Sequence, residues 1–437
     1  MPGNASAAKM RAMRRFLVTL GFLLAFPLPV RGDEYHYNDV FMGPRASGLG
    51  GTMIGIADDP SAAWYNPAGL AHAEREMVSL STTALLGKVL TLEGYLGGDL
   101  DLESAAAFSP ASVTTWPLLA GRFAFMGVTP SQDAYRVNRV IDQPVPDSHL
   151  LEASISRERS DSTYQVGVAY GQEIGRDIDL GVALCYVYRS YREHRSDFQH
   201  FSVADSQGNV AFEHTFDEKG ISHGAILVAG LLFHPGGHDG PFRLGLTART
   251  GANVSNSAFL RQTTFRGKPA ADDPERVVYD RVPNDDLKKA DSKIPPTLGL
   301  GLAWRPLPGW TIAVDGMLHG FVEYESYGYT VSKLSTFNGS FGTEVRLTED
   351  FAARLGAFTN RTSATRDVKS SDLRPDSWDQ YGGTVGVTLF GKYHSLSAAL
   401  KYARMTGKAT MPMGGDFEVI DVSGREIGVV FGGSYYF

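Results

Sequence analysis

A single cysteine, Cys185, stands among 437 residues. Its isolation excludes an intramolecular disulfide framework and any zinc site built from several cysteines. Long apolar runs are scarce as well. Past residue 32 no stretch approaches the ~20 apolar residues that a membrane helix needs, and mean hydropathy is only −0.15. A bundle of membrane helices is therefore excluded. Basic charge is also in short supply. The first 32 residues hold five basic residues and no acidic one, so the rest of the chain carries 36 basic and 48 acidic residues, a net charge of −12. That balance offers no basic face to a nucleic acid, and none is expected as a partner. The chain does have an excess of glycine, 49 residues, with aromatics at 11 %. Disordered chains are poor in aromatics. Many short strands remain, either in a soluble β protein or in a membrane barrel whose wall averages an apolar face with a polar one.

The N-terminus carries Lys9, Arg11, Arg14 and Arg15, then the apolar run from Phe16 to Phe26, then Pro27, Pro29 and Val30-Arg31-Gly32. Basic, apolar and small residues in that order predict a secretory signal over residues 1–32, cut near Gly32. No cysteine lies at the cut, which excludes a lipoprotein. An exported chain without a second spanning run can sit in a membrane only as a closed barrel, because unpaired backbone in lipid costs too much.

Residues 33–75 do not read as strand: they are rich in Gly, Ala and Pro. From residue 76 onward period-2 alternation sets in, which places one set of side chains on each face of a strand. Leu298, Leu300, Leu302 and Trp304 share a face opposite Gly299, Gly301 and Ala303, and Pro306–Gly309 makes a tight turn. Trp310, Ile312, Val314 and Leu318 oppose Thr311, Asp315 and His319; Phe341 to Leu347 oppose Glu344 and Arg346; Leu355 opposes Arg354; Leu400 and Tyr402 oppose Lys401. Strands are predicted near 76–86, 118–128, 150–158, 163–173, 178–192, 221–234, 241–250, 294–306, 309–322, 337–348, 351–360, 380–391, 393–406 and 426–437. An even count of fourteen, with short turns alternating with long polar loops, predicts an all-β, antiparallel transmembrane barrel. Two connections break the alternation: 129–149 is too long for a short turn, and 159–162 too short for a long loop. The long loops are predicted at 87–117, 193–220, 251–293, 323–336, 361–379 and 407–425. The terminal Phe437 and Tyr435 resemble the signal read by the outer-membrane barrel assembly machinery, which is expected as a partner.

The stretch from Gly43 through Gly48-Leu49-Gly50-Gly51 and Asp58-Asp59-Pro60 to Trp64-Tyr65-Asn66-Pro67-Ala68 resembles the N-terminal segment of the FadL/TodX family of outer-membrane transporters for long-chain fatty acids and hydrocarbons. Ile294-Pro295-Pro296 to Pro306 and Arg354 to Asn360 also look like that family. The resemblance implies a fourteen-stranded barrel over residues 76–437, with residues 33–75 folded inside it as a hatch, and passive transport of a hydrophobic small molecule. It also implies an outer-membrane setting, amid lipid and lipopolysaccharide, with the chain expected as a monomer. The other reading is the same barrel used as a scaffold, shuttle or adhesin for proteins through its long loops.

Under the resemblance Asn66, Pro67 and Ala68 are gating candidates, with Asp58, Asp59, Trp64 and Tyr65 around them. The residues themselves allow a plain packing turn, since Pro fixes the backbone and Asn tolerates tight turns. Asp315, His319, Glu344, Arg346, Arg354 and Lys401 are expected to face the lumen, there to line a polar path, hold the hatch or form solvated ion pairs. A carboxylate ligand would want an arginine, with Arg346 and Arg354 the candidates. Phe259 and Leu260 in an outer loop, with Leu118 and Leu119 at a loop–strand junction, are candidates for an uptake groove. No cofactor is expected: Gly48-x-Gly50-Gly51 lacks the strand before it and the βαβ unit after it. No metal is expected either, because His234 and His238, two histidines flanking a Gly-rich turn, are a weak metal signal. No nucleophile motif of the Gly-x-Ser-x-Gly type occurs, and no enzymatic activity is expected.

Overall fold

The computed structural model describes residues 35–436 except 74–76, 96–97, 107–108, 142–149, 202–209, 271–272, 283–291, 327–328, 365–376 and 414–415. The predicted signal and Phe437 lie outside the described residues. Two short helices, α1 (Pro44–Gly48) and α2 (Ala62–Tyr65), and a 3-10 helix (Pro67–His72) precede the strands. Among the described residues no helix is long and apolar enough to cross a membrane.

The strands are β1 (Met77–Leu92), β2 (Leu100–Ala106), β3 (Ser109–Leu118), β4 (Gly121–Ile141), β5 (Leu150–Glu173), β6 (Ile178–Phe201), β7 (Val210–Phe233), β8 (Phe242–Arg249), β9 (Ala252–Ala270) and β10 (Asp273–Val282). They continue with β11 (Ser292–Ile294), β12 (Thr297–Leu307), β13 (Trp310–His319), β14 (Val322–Ser326), β15 (Tyr329–Lys333), β16 (Thr336–Thr348), β17 (Phe351–Asn360), β18 (Ser377–Phe390), β19 (His394–Met413) and β20 (Asp416–Tyr436). Pairing is antiparallel throughout. β1 pairs with β20 on one side and with β2 and β3 on the other, so the sheet closes. β2 and β3 form one stave, β8 and β9 another, and β10 to β12 a third, because β12 pairs with β8 while β10 and β11 pair with β9. The barrel has fourteen staves, and β14–β15 is a separate hairpin.

The expected number is right, but two of the assigned strands are not. Ser109–Leu118 is a strand where a loop was expected, its signal hidden by Pro110 and Pro117, which demote a strand pattern. Conversely 150–158 and 163–173 are one strand, β5. Asp161 interrupts the alternation there because it faces inward to pair with Arg189. The two errors cancel in the count and remove both irregular connections. The 159–162 loop vanishes, and the link after β4 falls at the end that carries the long connections.

The outer face is an apolar belt. Burial alternates along β12, and Leu298, Leu300, Leu302 and Trp304 are exposed on its outside. The same face of β13, β18, β19 and β20 presents Val314, Val385, Leu400 and Phe431. So large an apolar surface suits hydrocarbon, not water. Toward the long-connection end the staves outgrow the membrane. β5, β6 and β7 run 24 residues each, about 80 Å at ~3.3 Å per residue, whereas spanning needs ~9–11 residues. Most of the expected loops 193–220, 251–293 and 407–425 are therefore strand. With water outside, the outward residues need not be apolar, and the inward face buries charged residues such as Arg157 and Asp197 beside apolar ones such as Ile155, so the alternation that reveals a strand disappears there.

Glycine marks where residues 35–73 meet the inward face. A Cβ added to Gly181 would lie 2.2 Å from the Pro67 carbonyl carbon, one on Gly245 2.0 Å from the Ile54 oxygen, one on Gly301 2.3 Å from the Gly55 nitrogen, and one on Gly356 2.3 Å from the Gly50 nitrogen. Real Cβ contacts do not come that close, so the backbone of this inner segment lies directly on backbone of the wall. Gly50 and Gly51 take positive φ, 65° and 82°, which glycine alone adopts without steric cost.

Candidate functional site

The acidic pair of the N-terminal motif organises an ion-pair network near the short-turn end. Asp58 accepts from Arg45, from Arg243 on β8 at 3.0 Å and from Arg305 on β12 at 2.7 Å. Arg45 also grips Glu344 on β16 with two hydrogen bonds, 2.9 and 2.7 Å, and Glu344 accepts from Arg354 on the neighbouring β17. Burial alone would raise the Asp58 carboxyl, but Arg45, Arg243 and Arg305 outweigh it and hold it well below the usual carboxylate range. Burial wins at Asp59, whose carboxyl is raised despite Arg45 and a hydrogen bond from Ser61.

Higher up, Asp315 on β13 accepts the Met53 and Ile54 N–H groups at 2.6 and 2.7 Å. Lys401 on β19 donates to the Asp39 carbonyl at 2.6 Å and pairs with Glu426 at 2.7 Å. Asn66 is fully buried. Its amide donates to the Ile54 carbonyl at 3.0 Å and to the Leu231 carbonyl of β7 at 3.1 Å, while its oxygen accepts from Ala68 N–H at 3.3 Å. One side chain thus caps the 3-10 helix and ties it to the wall. Pro67 and Ala68 lie on Gly171, Gly181 and Gly230.

Toward the long connections the inner segment and the wall enclose a cavity of about 150 Å³. Tyr37, Val40, Phe41, Trp64 and Tyr65 line it from the segment, and Val187, Ile226, Arg249, Ile294, Met317 and His319 from the wall. His319 stacks on Tyr37 with ring centroids 4.3 Å apart and bonds Thr297 at 2.9 Å. The Arg249 guanidinium lies over the Trp64 ring, 4.4 Å from its centroid, and donates to the Trp64 carbonyl. Among the described residues no carboxylate pairs with it.

Five of the six expected lumen residues face inward, and Asp315, His319, Glu344 and Lys401 each touch the inner segment, with Arg354 joined to it through Glu344. Arg346 does not join them. It is exposed, stacks over Phe390 and donates to the Glu349 carbonyl in the β16–β17 turn. Arg354 is buried and committed to Glu344 and Thr388. Neither is placed to receive a ligand carboxylate. Three cations line the cavity, Arg189, Arg249 and Lys333. Arg189 pairs with Asp161 and Lys333 donates to the Lys293 carbonyl, while Arg249 was passed over in sequence because it ends a short strand beside Thr250-Gly251. Leu118 and Leu119 are also misplaced for an uptake groove. They lie at the β3–β4 turn at the short-turn end, where Leu119 is almost fully exposed with a φ of 54°. Phe259 and Leu260 belong to β9, paired with Lys219 and Glu218 of β7, and not to a loop. The pair His234 and His238 gains company: His72 and Asp179 stand beside it.

A closed antiparallel barrel with an apolar outer belt and a ligand-sized cavity defines a transmembrane β-barrel. Its fold is that of the FadL/TodX family. A Pseudomonas aeruginosa FadL homologue superposes over 92 % of this chain and 100 % of its own, with a TM-score of 0.63 and 14 % identity. The toluene transporter TodX of P. putida covers 91 % of this chain and 99 % of its own, at 0.60 and 14 %. The Ralstonia pickettii toluene transporter TbuX gives 91 % and 98 %, at 0.55 and 13 %. At these identities the likeness is one of fold. By sequence, no family model and no curated protein matches the chain.

Proposed function

We propose that the protein takes up hydrophobic small molecules across an outer membrane, with the inner segment acting as a hatch beneath the ligand cavity. The cavity carries this reading: it is bounded by the segment itself, so a ligand leaving inward must displace the segment. Barrels of this fold include toluene transporters, which supports the substrate class. A 150 Å³ apolar cavity admits benzene, whereas drug-sized ligands take ~300–1,000 Å³. A single-ring molecule suits the cavity as it stands, and a long acyl chain requires it to lengthen. Arg249 gives a place for one carboxylate, through a charge-assisted hydrogen bond.

The test is uptake. Cells with an intact lipopolysaccharide outer leaflet should take up toluene faster with the barrel than without it, while purified protein in planar bilayers shows almost no ion conductance. Uptake equal to cells lacking the barrel would sink the reading, and stable open conductance would indicate a polar-solute pore instead.

A further inference from the structure

We propose that His72, Asp179 and His234 form a site for a divalent transition-metal ion of the zinc class, placed to tie the inner segment to the wall at the short-turn end. The three residues come from separate elements: the last residue of the 3-10 helix, the second of β6 and the first beyond β7. All three are buried. His72 Nε2 lies 2.6 Å from Asp179 Oδ2, His234 Nε2 lies 3.0 Å from the same oxygen, and the two nitrogens are 3.3 Å apart. The circle through such a triangle has a radius of about 1.7 Å. A point roughly 1 Å off its plane is therefore about 2.0–2.1 Å from all three atoms, the distance at which zinc takes nitrogen and carboxylate ligands. Two imidazoles and a carboxylate are a usual donor set for that ion, with the fourth position open to water.

Two further observations favour a cation. Glu173 Oε1 stands 3.3 Å from His72 Nδ1. A carboxylate on the far nitrogen of a ligating histidine holds the proton there and turns the other lone pair to the metal. With that tautomer, His72 Nε2 presents a lone pair to an anionic oxygen and to a second imidazole, an arrangement a positive ion resolves. Secondly, Asp179 Oδ1 and His234 Nδ1 are buried without a hydrogen-bond partner, and among the described residues no Lys or Arg pairs with Asp179. His238 stacks on His72, centroids 4.1 Å apart, and covers the group without contributing a ligand atom to it.

The experiment reads metal content and does not depend on transport. Full-length protein without a histidine tag is extracted in detergent, stripped with chelator, exposed to micromolar ZnCl2 and desalted. Zinc is counted by mass spectrometry on the folded fraction, separated by its heat-modifiable gel mobility. Wild type and His238→Ala should each hold one zinc per chain. Asp179→Asn and His234→Ala should bind at least ~100-fold more weakly. Zinc-free wild type would overturn the proposal on its own, whatever the variants do. So would full zinc retention by folded Asp179→Asn and His234→Ala.

Discussion

Asp58→Asn is the substitution that most directly tests how the inner segment is held. It keeps shape and removes one negative charge from among three arginines. Arg305 is 30 % exposed and Arg45 19 %, so water screens the first and Glu344 still serves the second. Arg243 is only 2 % exposed and among the described residues pairs with no other carboxylate. Its charge would be left buried and unpaired, a change that costs about 3–5 kcal/mol when one partner of a buried pair is removed. Spent on seating, that raises the unseated population by a factor on the order of 10² to several times 10³. The lone thiol reports it. Cys185 is 1 % exposed and packs in a cluster with Ala57, Ala62 and Leu70 of the segment. Maleimide labelling of folded protein should therefore be slow in wild type and about 10²-fold faster in Asp58→Asn. Adding Arg243→Gln should recover part of the loss, since the stranded charge goes with it. The pH dependence has a fixed sign. The folded Asp58 value is depressed, so its contribution is complete above the ordinary carboxylate value of ~3.9 and is lost as pH falls through the folded value. Because the thiolate is the reacting form and its fraction falls with pH in both proteins, the ratio of Asp58→Asn to wild-type labelling rates should be flat from pH 8 down to about 5. Equal labelling of Asp58→Asn and wild type, with both barrels folded, would refute the reasoning.

Asn66→Ala strands the Ile54 and Leu231 carbonyls; the loss of about 2–4 kcal/mol should appear as faster Cys185 labelling with unchanged gel mobility. Gly181→Val should yield a folded barrel whose segment cannot seat, seen as increased planar-bilayer conductance, while Gly87→Ala, whose nearest neighbour stands 4.0 Å away, should stay closed. Arg249→Gln should weaken benzoate binding by roughly 10-fold or more, one charge-assisted hydrogen bond of about 1.5–3 kcal/mol, and leave toluene binding within 2–3-fold in a fluorescence displacement assay.

The membrane-embedded part of the wall was legible because lipid on one side and lumen on the other force opposite chemistry on alternate residues. Leu298, Leu300 and Leu302 against Gly299 and Gly301 is that signal at its clearest. It fails above the membrane, where β6 continues through Arg189 to His200 with its outward face in water and Asp197 and Gln199 buried on its inward face, and at β3, where Pro110 and Pro117 mimic a loop. The inward charges Asp315, Glu344, Arg354 and Lys401 were legible by parity. Their partners were not, because Arg45 to Glu344 and Asp58 to Arg243 are long-range pairings that no local pattern encodes. The same holds for the group around Asp179. Its two histidines are 162 residues apart, and only the meeting of the inner segment with the β6 and β7 ends brings them together.

The glycines of the inner wall also act as an imprint. At Gly181, Gly245, Gly301 and Gly356 the wall touches main-chain atoms of the segment, so at those four points the fit depends on the path of that chain, while Asp58 and Asn66 hold it through their side chains. The information for where the segment rests is thus written in the receiving surface, as missing Cβ atoms. A segment transplanted from another barrel should settle here only if it follows the same backbone course and keeps the equivalents of Asp58 and Asn66. Segment side chains that line the cavity without such a contact, Val40 among them, are then free to change.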